Sequence, residues 1–114
     1  MIIALDAMGG DFAPEEIVKG AILAQDELEA QVALVGPQER IAPILEQAHA
    51  SDRLFIRHAS EVVEMEDSPR VALRSKPDSS VAQTVNMVLK GEAQACVSAG
   101  NSGAYMALCH TRLR

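Results

Sequence analysis

The sequence predicts an α/β domain built on a mostly parallel sheet, and three observations predict it. Short, continuous apolar runs recur along the chain. Most are followed by a turn marked with glycine or proline. Each turn then leads into a stretch whose apolar residues fall at helical spacing. Strands alternating with helices imply βαβ units, and right-handed crossovers place the helices on both faces of the sheet. With 114 residues, the length prior allows one domain (residues 1–114) and little more.

The first run, Ile2-Ile3-Ala4-Leu5, reads as a strand covered on both faces, with a turn from residue 6 to 13. Pro14 suits a first helical position, where its missing N–H costs nothing. Beyond it Ile17, Val18, Ala21, Ile22 and Leu28 form one apolar stripe, with Glu15 and Lys19 four apart on the wet side. Val32-Ala33-Leu34-Val35 is the second strand, closed by Gly36-Pro37. A second helix follows, with Ile41, Ile44, Leu45 and Ala48 inward and Pro43 tolerated in its first turns. Leu54-Phe55-Ile56 is the third strand, running toward His58; residues 61–67 alternate too weakly to separate strand from loop. Ser68-Pro69 reads as an N-cap and first-turn proline for a short helix over residues 69–74. After the turn 76–80, Val81, Val85, Val88 and Leu89 mark another helix, with Asp78 or Ser79 as its cap and Gly91 at its end. Ala95-Cys96-Val97 is the fourth strand, and a last helix starts near Ala104. Four strands leave at least one sheet edge uncovered, and the last helix ends uncapped at Arg114. The expectation is therefore a fragment of a longer protein.

Composition excludes several function classes. The net charge of −6 repels a phosphate backbone, and 3% aromatic residues give little surface for stacking bases, so nucleic acid is excluded as a partner. No basic segment precedes the first apolar run, Asp6 ends it, and no stretch approaches the ~20 apolar residues of a membrane span. Cys96 and Cys109 lack metal-ligand spacing and read as reduced, buried thiols. The expectation is a cytoplasmic protein with no metal.

Two glycine turns stand where ligands bind in open parallel sheets, at the carboxyl ends of strands. The first is Asp6-Ala7-Met8-Gly9-Gly10-Asp11, whose paired glycines let the backbone approach a ligand. On spacing alone it reads equally as a tight βα turn with Asp11 capping the next helix, and it is not a dinucleotide fingerprint. The second is Ser98-Ala99-Gly100-Asn101-Ser102-Gly103-Ala104. Its glycines, amide and hydroxyls cluster where helix N–H groups are unpaired, which favours an oxyanion. It lacks the lysine of a P-loop, and Asn101 and Ser102 also read as simple capping residues. Arg70, Arg74 and Lys76 form a basic cluster that suits a phosphate or an acidic protein, or is merely solvated. His58 lies at the ligand side of the third strand and reads as structural. No catalytic triad order or metal-ligand spacing is present.

These motifs together resemble the bacterial phosphate acyltransferases of fatty acid and phospholipid synthesis. The likeness begins in Asp6-Ala7-Met8-Gly9-Gly10-Asp11-Phe12-Ala13-Pro14 and continues through His58-Ala59-Ser60-Glu61-Val62 and Asp67-Ser68-Pro69. It runs on through Leu73-Arg74 and Lys76 with Asp78-Ser79-Ser80, and ends in the second glycine turn. Ser102 stands where the family commonly has threonine, Pro77 where it is polar or basic, and Tyr105 where it is aliphatic. The likeness fades from Cys109.

The resemblance implies an enzyme of acyl transfer from acyl-acyl carrier protein to inorganic phosphate, giving an acyl phosphate for phospholipid synthesis. It also implies a three-layer α/β/α fold of the isopropylmalate dehydrogenase and phosphotransacetylase kind, incomplete in this chain, with no cofactor and a homodimer at full length. A peripheral membrane contact is implied too, but no segment here shows it. Substrate- and phosphate-binding positions carried over are Asp6, Gly9, Gly10, Asp11, Lys76, Asp78, Ser79, Gly100, Asn101, Ser102 and Gly103; no catalytic base is assigned. The competing readings are a phosphate acetyl- or butyryltransferase using acyl-coenzyme A, and a non-catalytic fragment that binds anions or self-associates. The expectation for residues 1–114 alone is little or no activity.

Overall fold

The computed structural model describes residues 1–113. Four parallel strands, β1 (Ile2–Asp6), β2 (Gln31–Gly36), β3 (Phe55–His58) and β4 (Ala95–Val97), form one sheet in the order β3-β2-β1-β4. Ile3 pairs with Val32 on one side and Ala95 on the other, which brings the two chain halves together at β1. Helices α1 (Glu15–Gln25) and α2 (Gln38–Gln47) pack together beside β2 and β3. Helices α3 (Ser80–Leu89) and α4 (Ser102–Arg112) pack together, with α3 lying on β1, β2 and β4. The α/β class and the parallel sheet are as the alternation of runs predicts.

Strand alternation divides the core. Val32 and Leu34 face one way and join Val18, Ala21, Ile41 and Leu45. Ala4, Ala33 and Val35 face the other way with Met87 and Ala93, and the small side chains at Ala4 and Ala33 let α3 approach closely. β2 is buried along nearly its whole length, whereas the edge strands β3 and β4 are only half covered.

The chain departs from the sequence expectations in several places, each for a local reason. Leu28 lies beyond α1 and is 42% exposed, because the helix ends at Gln25 before the stripe is complete. Ala48 is the exposed C-cap of α2 rather than part of its inner face. Lys19 meets Glu16 rather than Glu15. Pro14 is the N-cap of α1 and is buried. α4 begins at Ser102, two residues earlier than expected, because Asn101 caps it. Asp6 is the last residue of β1 rather than the first of the turn. The short helix after Ser68 closes as a π-helical turn, Val71–Ser75, with Lys76 N–H donating to the Val71 carbonyl at 3.1 Å. Ser79 caps α3 through Ala82 N–H at 3.1 Å, and Gly91 follows that helix with φ +77°.

Candidate functional site

The parallel strands all end on one edge of the sheet, at Asp6, Gly36, His58 and Val97, and each of the four α-helices starts from that edge. Here the two glycine turns meet backbone to backbone. A Cβ added to Gly9 would lie 2.8 Å from the Gly100 nitrogen and 3.1 Å from the Ala99 nitrogen. Gly10 has φ +109°, a conformation that side chains disfavour, and also faces Ala99. The glycines therefore serve close packing of two turns ninety residues apart, in addition to any approach of a ligand.

Asp6 fastens this junction. The residue is 3% exposed; Oδ1 accepts from Met8 N–H at 3.1 Å and Oδ2 accepts from the Ser98 hydroxyl at 2.8 Å. Ser98 Oγ in turn accepts from Gly100 N–H at 3.2 Å. Burial pushes the Asp6 carboxyl above the usual carboxylate range, against the opposing pull of the Ser80 and Ser98 hydroxyls and Met8 N–H. Asp6 and Gly100 are thus occupied by the protein itself. Free donors lie one step further on: the Ser102 and Gly103 N–H groups at the start of α4 have no acceptor among the described residues, and both residues are exposed.

Asn101 does two jobs. Its Oδ1 accepts from Ala104 N–H at 3.1 Å, capping α4, while Nδ2 donates to the carbonyls of Glu64 at 3.1 Å and Asp67 at 2.7 Å. Lys76 holds the same loop: its ammonium donates to the Val62 carbonyl at 2.8 Å and pairs with Asp67 at 2.6 Å. This ammonium beside Asp67 holds that carboxyl below the usual range. Asp78 accepts from Ser60 N–H at 2.9 Å and from Gln83 at 2.8 Å, and the Ser60 hydroxyl holds its carboxyl below the usual range. Ser79 is fully buried under its cap. Lys76, Asp78, Ser79 and Asn101 therefore brace the loop 60–67 against the starts of α3 and α4. Asp11 stands apart from them, exposed at the rim.

Between that loop and the first glycine turn lies an open cleft of about 320 Å³, lined by Gly10, Asp11, Arg40, Glu64 and Glu66 among others. Three carboxylates and one guanidinium line it, so the cleft itself disfavours an anion, in contrast to the unpaired N–H groups at the α4 start. His58 accepts from Gln38 N–H at 3.1 Å and so caps α2, in keeping with a structural role. Cys96 and Cys109 are unbridged and half-buried; Tyr105 donates to the Cys96 carbonyl at 2.9 Å. No group of three or more potential metal ligands occurs among the described residues, and no helix there is long and apolar enough to cross a membrane. Ser98 and Ser80 stand inside motifs singled out in the sequence but with no role assigned to them, and Arg40 gave no signal at all.

Comparison with known proteins bears on this edge. A family model described as fatty acid synthesis protein matches residues 1–114. A phosphate acyltransferase of Heliobacterium modesticaldum is 55% identical over 109 residues, covering 94% of this chain and 32% of that protein. Phosphate acyltransferases of Desulfitobacterium hafniense (over 107 residues) and Synechococcus elongatus (over 111) are each 50% identical, covering 94% and 97% of this chain and 32% of each relative. The chain thus spans about a third of the length of these relatives. With every motif of the strand-end edge inside the matched region, the chain belongs to the fatty acid synthesis protein family, whose curated relatives bear the name phosphate acyltransferase.

Proposed function

We propose that the full-length protein transfers a fatty acyl group from acyl-acyl carrier protein to inorganic phosphate, yielding an acyl phosphate for phospholipid synthesis. The observation that carries the reading is the junction of the two glycine turns, where Gly9 and Gly10 pack on Ala99 and Gly100, the residues that lead into the start of α4 and its unpaired Ser102 and Gly103 N–H groups. Helix-start donors bind phosphate and stabilise the oxyanion that develops when a thioester carbonyl is attacked. A phosphate oxygen forms the new bond to the carbonyl carbon, the tetrahedral oxyanion collapses, the C–S bond breaks, and the thiolate leaves to take a proton from solvent. In this reading Ser102 and Gly103 contact the reacting group. Asp6, Ser98 and Gly100 hold the turn in shape, while Asn101, Lys76, Asp78 and Ser79 hold the opposing loop. Lys76 supports the site by fixing Asp67 and the Val62 carbonyl rather than as a free countercharge. The protein acts in the cytoplasm as a homodimer.

The test is a product assay on the full-length protein with a carrier-borne acyl thioester and inorganic phosphate, trapping acyl phosphate with hydroxylamine as the hydroxamate. Phosphate-dependent hydroxamate supports the reading. Release of free fatty acid alone overturns it, and a marked preference for acyl-coenzyme A transfers the activity to the acetyl- and butyryltransferase class.

A further inference from the structure

The proposed chemistry leaves the Arg70 and Arg74 pair unused. Both side chains are exposed, four residues apart, on the π-helical turn and the residue that leads into it; Ala72 between them is buried. In a chain of net charge −6 this local excess of positive charge is unusual. Arg53, Arg57 and Lys76 each pair with a carboxylate, whereas neither Arg70 nor Arg74 has a carboxylate partner among the described residues. Two unpaired guanidiniums on one exposed face are suited to a partner that brings its own carboxylates.

The pair is also held firmly beside the α4 start. The Ser68 hydroxyl accepts from Val71 N–H at 3.3 Å on one side, and Lys76 is tied to Asp67 and the Val62 carbonyl on the other. Asn101 binds the Asp67 carbonyl just before the turn. Pro69, next to Arg70, lies against the helix start: a Cβ on Gly103 would make ordinary contact, 3.5 Å, with its Cγ. The segment bearing the arginines is therefore fixed against the helix start whose first N–H groups are unpaired. A π-helical turn in such a position is a common mark of a functional segment.

We infer that Arg70 and Arg74 form the docking platform for an acidic face of the protein that carries the acyl thioester, so that its acyl arm reaches the start of α4. The inference rests on the reading of the donor as a protein-borne thioester. A small acyl thioester, which has no acidic protein face, makes no use of the platform.

The test compares donors on the full-length enzyme, wild type against the double variants Arg70→Glu/Arg74→Glu and Arg70→Gln/Arg74→Gln. Each is assayed with the carrier-borne thioester and with the acyl thioester of N-acetylcysteamine. The glutamate variant is expected to lose about tenfold or more in kcat/KM for the carrier-borne donor, the glutamine variant less, and both to keep wild-type rates with the small donor. The wild-type carrier rate is also expected to fall with added salt more steeply than that of either variant. Unchanged carrier kinetics in both variants overturns the platform, and so does an equal loss with both donors. Failure of the donor reading itself shows differently: the wild type then turns over the small thioester but not the carrier-borne one, before any variant is compared.

Discussion

Adding one methyl group at Gly9 is the sharpest perturbation the structure offers. The new Cβ would sit 2.8 Å from the Gly100 nitrogen, 3.0 Å from Ser98 Oγ and 3.1 Å from the Ala99 nitrogen. Two of these three atoms are backbone and cannot swing aside. Restoring ordinary contact requires the turns to part by about 0.6 Å, and overpacking of this kind costs about 1–3 kcal/mol. The same displacement lengthens the Ser98–Asp6 hydrogen bond of 2.8 Å and moves the start of α4. Misplacement of a binding group by under an ångström costs a rate on the order of tenfold or more. Gly9→Ala in the full-length protein is therefore expected to lower the melting temperature and to reduce acyl-phosphate formation further than the loss of folded protein explains. Gly20→Ala is the control, because nothing beyond the adjoining backbone of α1 lies within 4 Å of its added Cβ and the position is exposed. It should stabilise by up to about 1 kcal/mol and leave activity intact. A Gly9→Ala protein as stable and as active as wild type would refute the packed junction.

Three further perturbations separate bracing from binding. Asn101→Ala removes the α4 cap and the anchor of the loop 64–67, and is expected to cost about 2 kcal/mol, whereas Asn101→Ser keeps a capping hydroxyl and loses the donors to the loop; equal stability of the two variants would contradict the double role. Asp6→Asn tests the buried carboxyl. Because its folded value is raised above 3.8, the carboxyl is neutral in both states at lower pH; as pH climbs past 3.8 the unfolded form ionises first, so wild-type stability falls until the folded value is passed. The variant's melting temperature should therefore gain on wild type over that interval, and a pH-independent difference would count against it. Lys76→Met should raise the Asp67 carboxyl toward its ordinary value, read by carboxyl NMR, because the Lys76 hydrogen bond is the main cause of its depression.

Much of the fold was legible because its causes are local. The apolar runs at β1 and β2, the Ser79 cap and the left-handed Gly91 each declare themselves within a few residues. The failures were those of periodicity continued too far, as at Leu28 and Ala48, where a helix end interrupts the stripe. The site was only half legible. Both glycine turns stood out, but their contact joins Gly9 to Gly100, and the bond that fixes Asp6 comes from a residue 92 positions away. Local patterning carries no trace of either. For the same reason Lys76 read as a free cation, when its partners Asp67 and Val62 lie on a loop whose pattern was too weak to assign.

The proposed activity requires that the helix start beyond the junction of the two turns be an anion site with Ser102 and Gly103 as its donors. Titrating inorganic phosphate into the isotopically labelled full-length protein, with backbone amide NMR as the readout, tests it most directly. Saturable shifts are expected, largest at the Ser102 and Gly103 amides, with smaller ones at Gly10 and a marked reduction in Gly9→Ala. Shifts confined to other residues, or none at the start of α4, would contradict it.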